Sequence, residues 1–179
     1  MKEWKSIAVF CGSKPGLNPR FMEHTKIMGA LLANKGITVV YGGGRNGMMG
    51  VLADAAMAQG GKVIGILPES LAATEHRNDD ITELLIVDSM HSRKKLMFEK
   101  SDAAIVLPGG FGTMDELFEM LTWNQLNIHD KEIFFLNTDG FYHHLIGHIR
   151  QMHSEGMLYH HPDNKIRILE KPEDLLLHL

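Results

Sequence analysis

At 179 residues the chain is long enough for a domain whose core needs no disulfide or metal staple. Apolar residues at 44% and charged residues at 22% exclude a disordered chain, and a net charge of −4 disfavours a nucleic-acid partner, because phosphate backbones reward basic surfaces. The lone Cys11 excludes an intrachain disulfide and a thiolate zinc cluster.

The opening MKEWKSIAVFCGS has an apolar run too short for a secretory leader, and no segment reaches the ~20 apolar residues of a membrane span. A cytoplasmic protein with no membrane partner is expected. Along the chain, Ile7 to Phe10 reads as a buried strand. NPRFMEHTKIMGALLANKG reads as a helix, with Pro19 in the first turn and Gly36 closing it. ITVVYGGG is a second strand, GMMGVLADAAMAQGG a second helix and KVIGILPES a third strand. Ser70 to Asp80 has no period and reads as a loop. ITELLIVDS then gives a short strand, MHSRKKLMFEKS a helix and AAIVLPGG a strand. TMDELFEMLTWNQL is a helix, EIFFLN a strand, and GFYHHLIGHIRQMHSEG a helix closed by Gly156. IRIL and PEDLLLHL finish the chain. Strands that are continuous apolar runs, alternating with helices, predict an α/β fold: a doubly wound, mostly parallel sheet with helices on both faces, one Rossmann-like domain over residues 1–179.

Ligands of such sheets sit beyond the carboxyl ends of the strands. Cys11–Lys14, Gly42–Gly47 and Pro108–Thr113 qualify by that rule. GGGRNG, Gly42 to Gly47, fits G-x-G-x-x-G, with Glu69 as a ribose-binding acid, but it follows the second strand rather than the first. It reads either as a mononucleotide phosphate loop or as glycines that let a helix pack close to the sheet. PGGFGT offers backbone N–H groups at a helix start, a site for a phosphate, with Thr113 as helix cap and hydroxyl donor. Thr113 to Glu116, TMDE, also has the form of a capping box. HSRKK opens the helix before this strand; its start is expected on the opposite sheet edge, which leaves Arg93 on a solvated helix face.

MHSRK, Met90 to Lys94, followed by PGGFGTMDE, Pro108 to Glu116, resembles the signature pair of the LONELY GUY family, the cytokinin riboside 5'-monophosphate phosphoribohydrolases once labelled lysine decarboxylases. The similarity covers nearly the whole chain, including FCGS, YGGGRNGMMG and LTWNQLNIHDKEIFFLN. It implies hydrolysis of the N-glycosidic bond of a purine nucleoside 5'-monophosphate, such as AMP, to free base and ribose 5-phosphate, with no cofactor and no metal. Carried over by position, Arg93 and Glu116 are the catalytic pair. Gly109, Gly110, Phe111, Gly112, Thr113, Met114 and Asp115 are the phosphate and ribose cradle, and Lys94, Glu75 and Thr122 contact substrate. The resemblance also implies a homodimer. Phe111 stands where plant members usually carry Tyr, and Arg45 and Asn46 replace small or apolar residues, a potential phosphate contact.

Breaking a ribosyl C–N bond builds oxocarbenium-like charge, which a carboxylate beside the ribose stabilises. Arg93 can hold phosphate, orient Glu116 or stabilise the departing purine; the sequence leaves all three open. His143, His144, His148 and His153 share one helix without a third ligand at metal spacing and read as surface or interface histidines. Leu121, Trp123, Leu126 and Ile128 are expected in a dimer interface. The competing class is a non-catalytic nucleotide-binding or carrier protein on the same fold; intact Arg93 and Glu116 favour the enzyme.

Overall fold

The computed structural model describes residues 4–72 and 77–179. The chain alternates β1 (Ser6–Phe10), α1 (Pro19–Asn34), β2 (Thr38–Tyr41), α2 (Gly47–Ala58), β3 (Val63–Pro68), a short α3 (Glu69–Ala72) and β4 (Glu83–Val87). It continues through α4 (Met90–Glu99), β5 (Ala103–Val106), α5 (Phe111–Gln125), β6 (Ile133–Leu136), α6 (His143–Ser154) and β7 (Ile166–Leu169), and a 3-10 turn covers Pro172–Leu177. All seven strands are parallel, in the order β4-β3-β2-β1-β5-β6-β7. The doubly wound sheet expected from the sequence is therefore present. Among the described residues no helix is long and apolar enough to cross a membrane.

The strand residues alternate between two cores. Ile7 and Val9 pack with Met28 and Leu32 of α1 and Leu52 of α2. Ala8 and Phe10 pack with Met97 of α4, Leu117 and Met120 of α5 and Ile149 of α6. Each fully buried Leu, Ile or Phe contributes roughly 1.5–3 kcal/mol, so both faces of every central strand must be apolar.

Local chemistry sets the element ends. Asn18 caps α1 by accepting from the Arg20 N–H at 3.0 Å, Pro19 takes the first position, and Gly36 follows the helix with a φ of 69°. Two ends differ from expectation. The segment read as a loop from Ser70 begins inside α3. More consequentially, α5 starts at Phe111 rather than Thr113, with Gly110 as its N-cap and no side-chain cap bond.

The order of strands places a crevice. The chain winds outward from β1 to β4, then restarts at β5 on the other side of β1. The loops leaving β1 and β5 therefore separate to opposite faces, which opens a binding site at that switch point. Backbone bonds hold the two strand ends together there: Leu107 N–H donates to Phe10 at 2.9 Å and Gly12 N–H to Pro108 at 3.1 Å.

Candidate active site

A cavity of about 510 Å³ lies over this switch point. All three loops selected by the carboxyl-edge rule reach it: Cys11–Lys14, Gly42, and Pro108 through Thr113. Tyr142 is buried and donates its hydroxyl to the Leu107 carbonyl at 2.5 Å, which fixes the chain just ahead of Pro108.

One wall is the start of α5. With Gly110 as N-cap, the first-turn N–H groups have no intrahelical partner, and the turn carries no acidic side chain. Gly109 must be glycine: a β-carbon there would collide with Thr113 Oγ1. Gly110 and Gly112 instead face open space, with nothing within 4 Å of a β-carbon. Thr113 is buried, in the third helical position rather than at the cap. The capping box is thereby corrected. The N-cap is Gly110, three residues earlier than TMDE indicates, so Glu116 sits in the second turn, beyond reach of a reciprocal cap. The offset places the Glu116 carboxylate about one turn beyond the open N–H groups of the helix start.

Arg93 and Glu116 both line the cavity, at 5% and 9% exposure. The expectation that Arg93 lies on a solvated helix face is overturned. α4 and α5 each follow a strand of one parallel sheet, so both begin at the same carboxyl edge. Ser89 caps α4 by accepting from Ser92 N–H at 3.1 Å, and Arg93 points inward one turn later. Its Nε donates to the Ile66 carbonyl at 3.1 Å and its Nη2 to the Gly42 carbonyl at 2.9 Å. Two carbonyls from neighbouring strand ends thus fix the guanidinium plane. Cys11 lies in the same floor; burial pushes its thiol well up, the Glu116 charge adds to that, and Arg93 offsets part of it. The thiol is neutral and is no nucleophile.

GGGRNG divides its duties. Gly42 lines the cavity, and a β-carbon there would strike Arg93 Nη2. Gly43 has a φ of 77° and packs against Leu67 and Leu84, while Gly47 sits on the backbone of Ser13. Close packing against β3, β4 and the turn after β1 therefore accounts for Gly43 and Gly47. Arg45, expected as a potential phosphate contact, pairs with Asp80 at 2.6 Å. Glu69 of the dinucleotide reading is exposed on α3.

The profile of the family described as "Possible lysine decarboxylase" matches residues 49–179. The cytokinin riboside 5'-monophosphate phosphoribohydrolase of Rhodococcoides fascians is 44% identical over 155 residues, 86% of this chain and 78% of that protein. An Arabidopsis thaliana protein of the same name is 41% identical over 156 residues, 87% of this chain and 73% of its own. The chain belongs to this phosphoribohydrolase family, the LONELY GUY proteins. Solved structures share the fold at lower identity. The molybdenum cofactor binding protein of Rippkaea orientalis aligns with a TM-score of 0.73 at 22% identity, covering 99% of this chain and 96% of that one. The molybdenum cofactor carrier protein of Chlamydomonas reinhardtii aligns with a TM-score of 0.74 at 16% identity, covering 98% and 96%.

Of the residues carried over from the phosphoribohydrolase signature, the cavity unites Arg93, Gly109, Gly110, Phe111, Gly112, Thr113 and Glu116. Four others lie elsewhere. Met114 packs into the core beneath α5. Asp115 and Thr122 border a shallow depression on the outer side of α5, with His91 and Trp123. Lys94 is clasped by Asp115 at 3.0 Å and Glu119 at 2.5 Å. Glu75 lies outside the described residues. Phe21 and Phe141 also line the cavity and meet edge to face at 5.3 Å. They were not foreseen, although Phe141 follows β6 and the carboxyl-edge rule applied there would have found it.

Proposed function

We propose that this protein hydrolyses the N-glycosidic bond of cytokinin riboside 5'-monophosphates, and of AMP, to free base and ribose 5-phosphate. The observation that carries the reading is the convergence of Glu116, Arg93 and the Gly109–Thr113 turn on one cavity. The open N–H groups of α5 suit the 5'-phosphate, and Glu116 one turn deeper suits the ribose. Cleavage of the C1'–N bond leaves its electron pair on the base, which takes up a proton. Water adds to C1' and gives up its proton, with Glu116 as orienting group and base. The developing positive charge on the sugar is stabilised by the Glu116 carboxylate. Arg93 holds its place through two carbonyls and balances the carboxylate across the cavity. The relatives' shared activity supports this assignment.

Incubation of the wild-type protein with AMP, isopentenyladenosine 5'-monophosphate and the two nucleosides, followed by chromatography, tests it. Free base is expected from the monophosphates. Equal turnover of the nucleosides overturns the phosphate cradle, and binding without base release favours a carrier.

We also infer a cytoplasmic homodimer that buries the C-terminal half of α5. Leu126 and Ile128 are 54% and 59% exposed beside an apolar groove of about 470 Å³. Trp123, in contrast, is spent within the chain, edge-on to Phe98 at 5.1 Å. Light scattering at micromolar concentration is expected to give twice the 20.1 kDa chain mass; a monomer overturns the inference.

A further inference from the structure

Behind the reacting carboxylate lies a second set of charges. α4 presents Arg93 to the main cavity and Lys94 to the space behind it; α5 does the same with Glu116 and Glu119. Glu116 and Glu119 are three residues apart on one helix and so are neighbours on its surface. A separate small cavity of about 10 Å³ lies between them, lined by Lys94, Glu116, Glu119, Met120 and Trp123. That is close to the space of one water molecule. Glu119 Oε2 binds Lys94 at 2.5 Å, while its Oε1 is buried with no hydrogen-bond partner among the described residues. A buried carboxylate oxygen left without a partner is costly, so its retention beside Glu116 calls for a role.

We propose that Glu119, clamped by Lys94, is a positioning residue for Glu116 that sets its orientation and the pH at which it ionises. The inference rests on the reading of Glu116 as the reacting group. The two carboxylates repel, which favours the protonated form of Glu116; Lys94 opposes this from the same side. Burial alone would lower the Lys94 ammonium, but hydrogen bonds to Glu119 and Asp115 outweigh it and hold the pKa above the ordinary lysine value, so the clamp stays charged at neutral pH. Among the described residues, the other charged or titratable groups around this region are Cys11 and Lys14 from the turn after β1, His91 and Arg93 from α4, Asp115 from α5, and His129 and Lys131, which pack on Phe98 in the cavity wall. Asp115 is half exposed and already paired with Lys94, so among the described residues Glu119 is the carboxylate that shares the small cavity with Glu116.

Two variants separate this role from a merely structural one because their effects have opposite signs. Glu119→Gln removes the like charge and releases Lys94, so the acid limb of the kcat/KM profile is expected to move down by about 1 pH unit. Lys94→Met removes the cation that favours the ionised form of Glu116, so the limb is expected to move up by a similar amount. The KM for AMP on the plateau stays within a few-fold in both. The Glu116 carboxyl carbon, followed by NMR in labelled protein and assigned with Glu116→Gln, reports the same two shifts without any substrate. That titration decides the proposal even if wild-type turnover fails and the assigned reaction is wrong. If one variant does not fold, the other still carries its own signed shift. Unmoved titrations, or shifts of the same sign in both variants, overturn the proposal.

Discussion

Arg93 Nη2 donates to the carbonyl oxygen of Gly42 at 2.9 Å, across 51 residues of sequence. The contact leaves no room for a side chain at position 42, since a β-carbon would strike the guanidinium and lie 3.2 Å from the Met49 sulfur. Gly42→Ala is therefore expected to displace Arg93 rather than the sheet. A shift of an ångström in a reacting group costs about 10²-fold in rate. Base release from AMP should fall by roughly that factor in Gly42→Ala while the protein remains folded by circular dichroism. Wild-type turnover in this variant would show that the Arg93 position is not critical.

Glu116 is buried in the second turn of α5, outside the reach of a cap. Glu116→Gln keeps the shape and removes the charge. Loss of a positioned carboxylate is expected to lower turnover by about 10²-fold or more, with the melting temperature shifted by only a few degrees. Near-wild-type hydrolysis by a folded Glu116→Gln would remove the residue from the chemistry.

The central strands were legible because strands covered by helices on both sides must be apolar on both faces, and the fully buried runs AAIV and IFFL say so without any alternation. The three site loops were legible because their position beyond a strand's carboxyl end is topological. The start of α5 was not. Gly110, Phe111 and Gly112 have poor helix propensity, and the early start is set by tertiary fit: Gly109 packs on Thr113 and on the Gly12 backbone. Arg93 was misplaced for a related reason. Its carbonyl partners are 27 and 51 residues away, and only the shared carboxyl edge of β2, β3 and β4 brings them together. Lys94 and Asp115 carried a signature match, yet they pair with each other on the far side of α5 from the cavity.

Gly110 and Gly109 offer a paired test of the phosphate cradle. A β-carbon at Gly110 meets nothing within 4 Å, and the N-cap backbone, at a φ of −99°, accepts alanine. Gly110→Ala should therefore stay folded and lose only about 1 kcal/mol, alanine being a poorer N-cap than glycine, and a loss of affinity must come from the approach of the bound ligand. The KM for AMP is expected to rise about 10-fold, as the backbone loses close approach to the anion. Gly109→Ala meets Thr113 and should lose stability even without ligand. Calorimetry with ribose 5-phosphate and thermal melts separate the two. Unchanged affinity in Gly110→Ala would move the phosphate away from this turn.

Cys11, Tyr41 and Tyr142 make the fold sensitive to alkali. Burial pushes the ionisation of all three well above their ordinary values. For Tyr41, the nearby Asn78 amide offsets only part of that rise. In the unfolded chain the thiol ionises near about 8.5 and the phenols near about 10. Between those values and the raised folded ones, the unfolded state holds fewer protons than the native state, so stability falls as pH rises. Each group contributes a slope of up to about 1.4 kcal/mol per pH unit once its unfolded form is ionised. The loss begins with Cys11 above about pH 8.5 and steepens as the tyrosines join above about pH 10. Denaturant unfolding from pH 7 to 10.5 should trace that curve. Cys11→Ala should flatten its first part and leave the second, because it removes the thiol and neither phenol. Stability that stays level from pH 8.5 to 10.5 in the wild type would mean that these groups reach solvent in the folded protein.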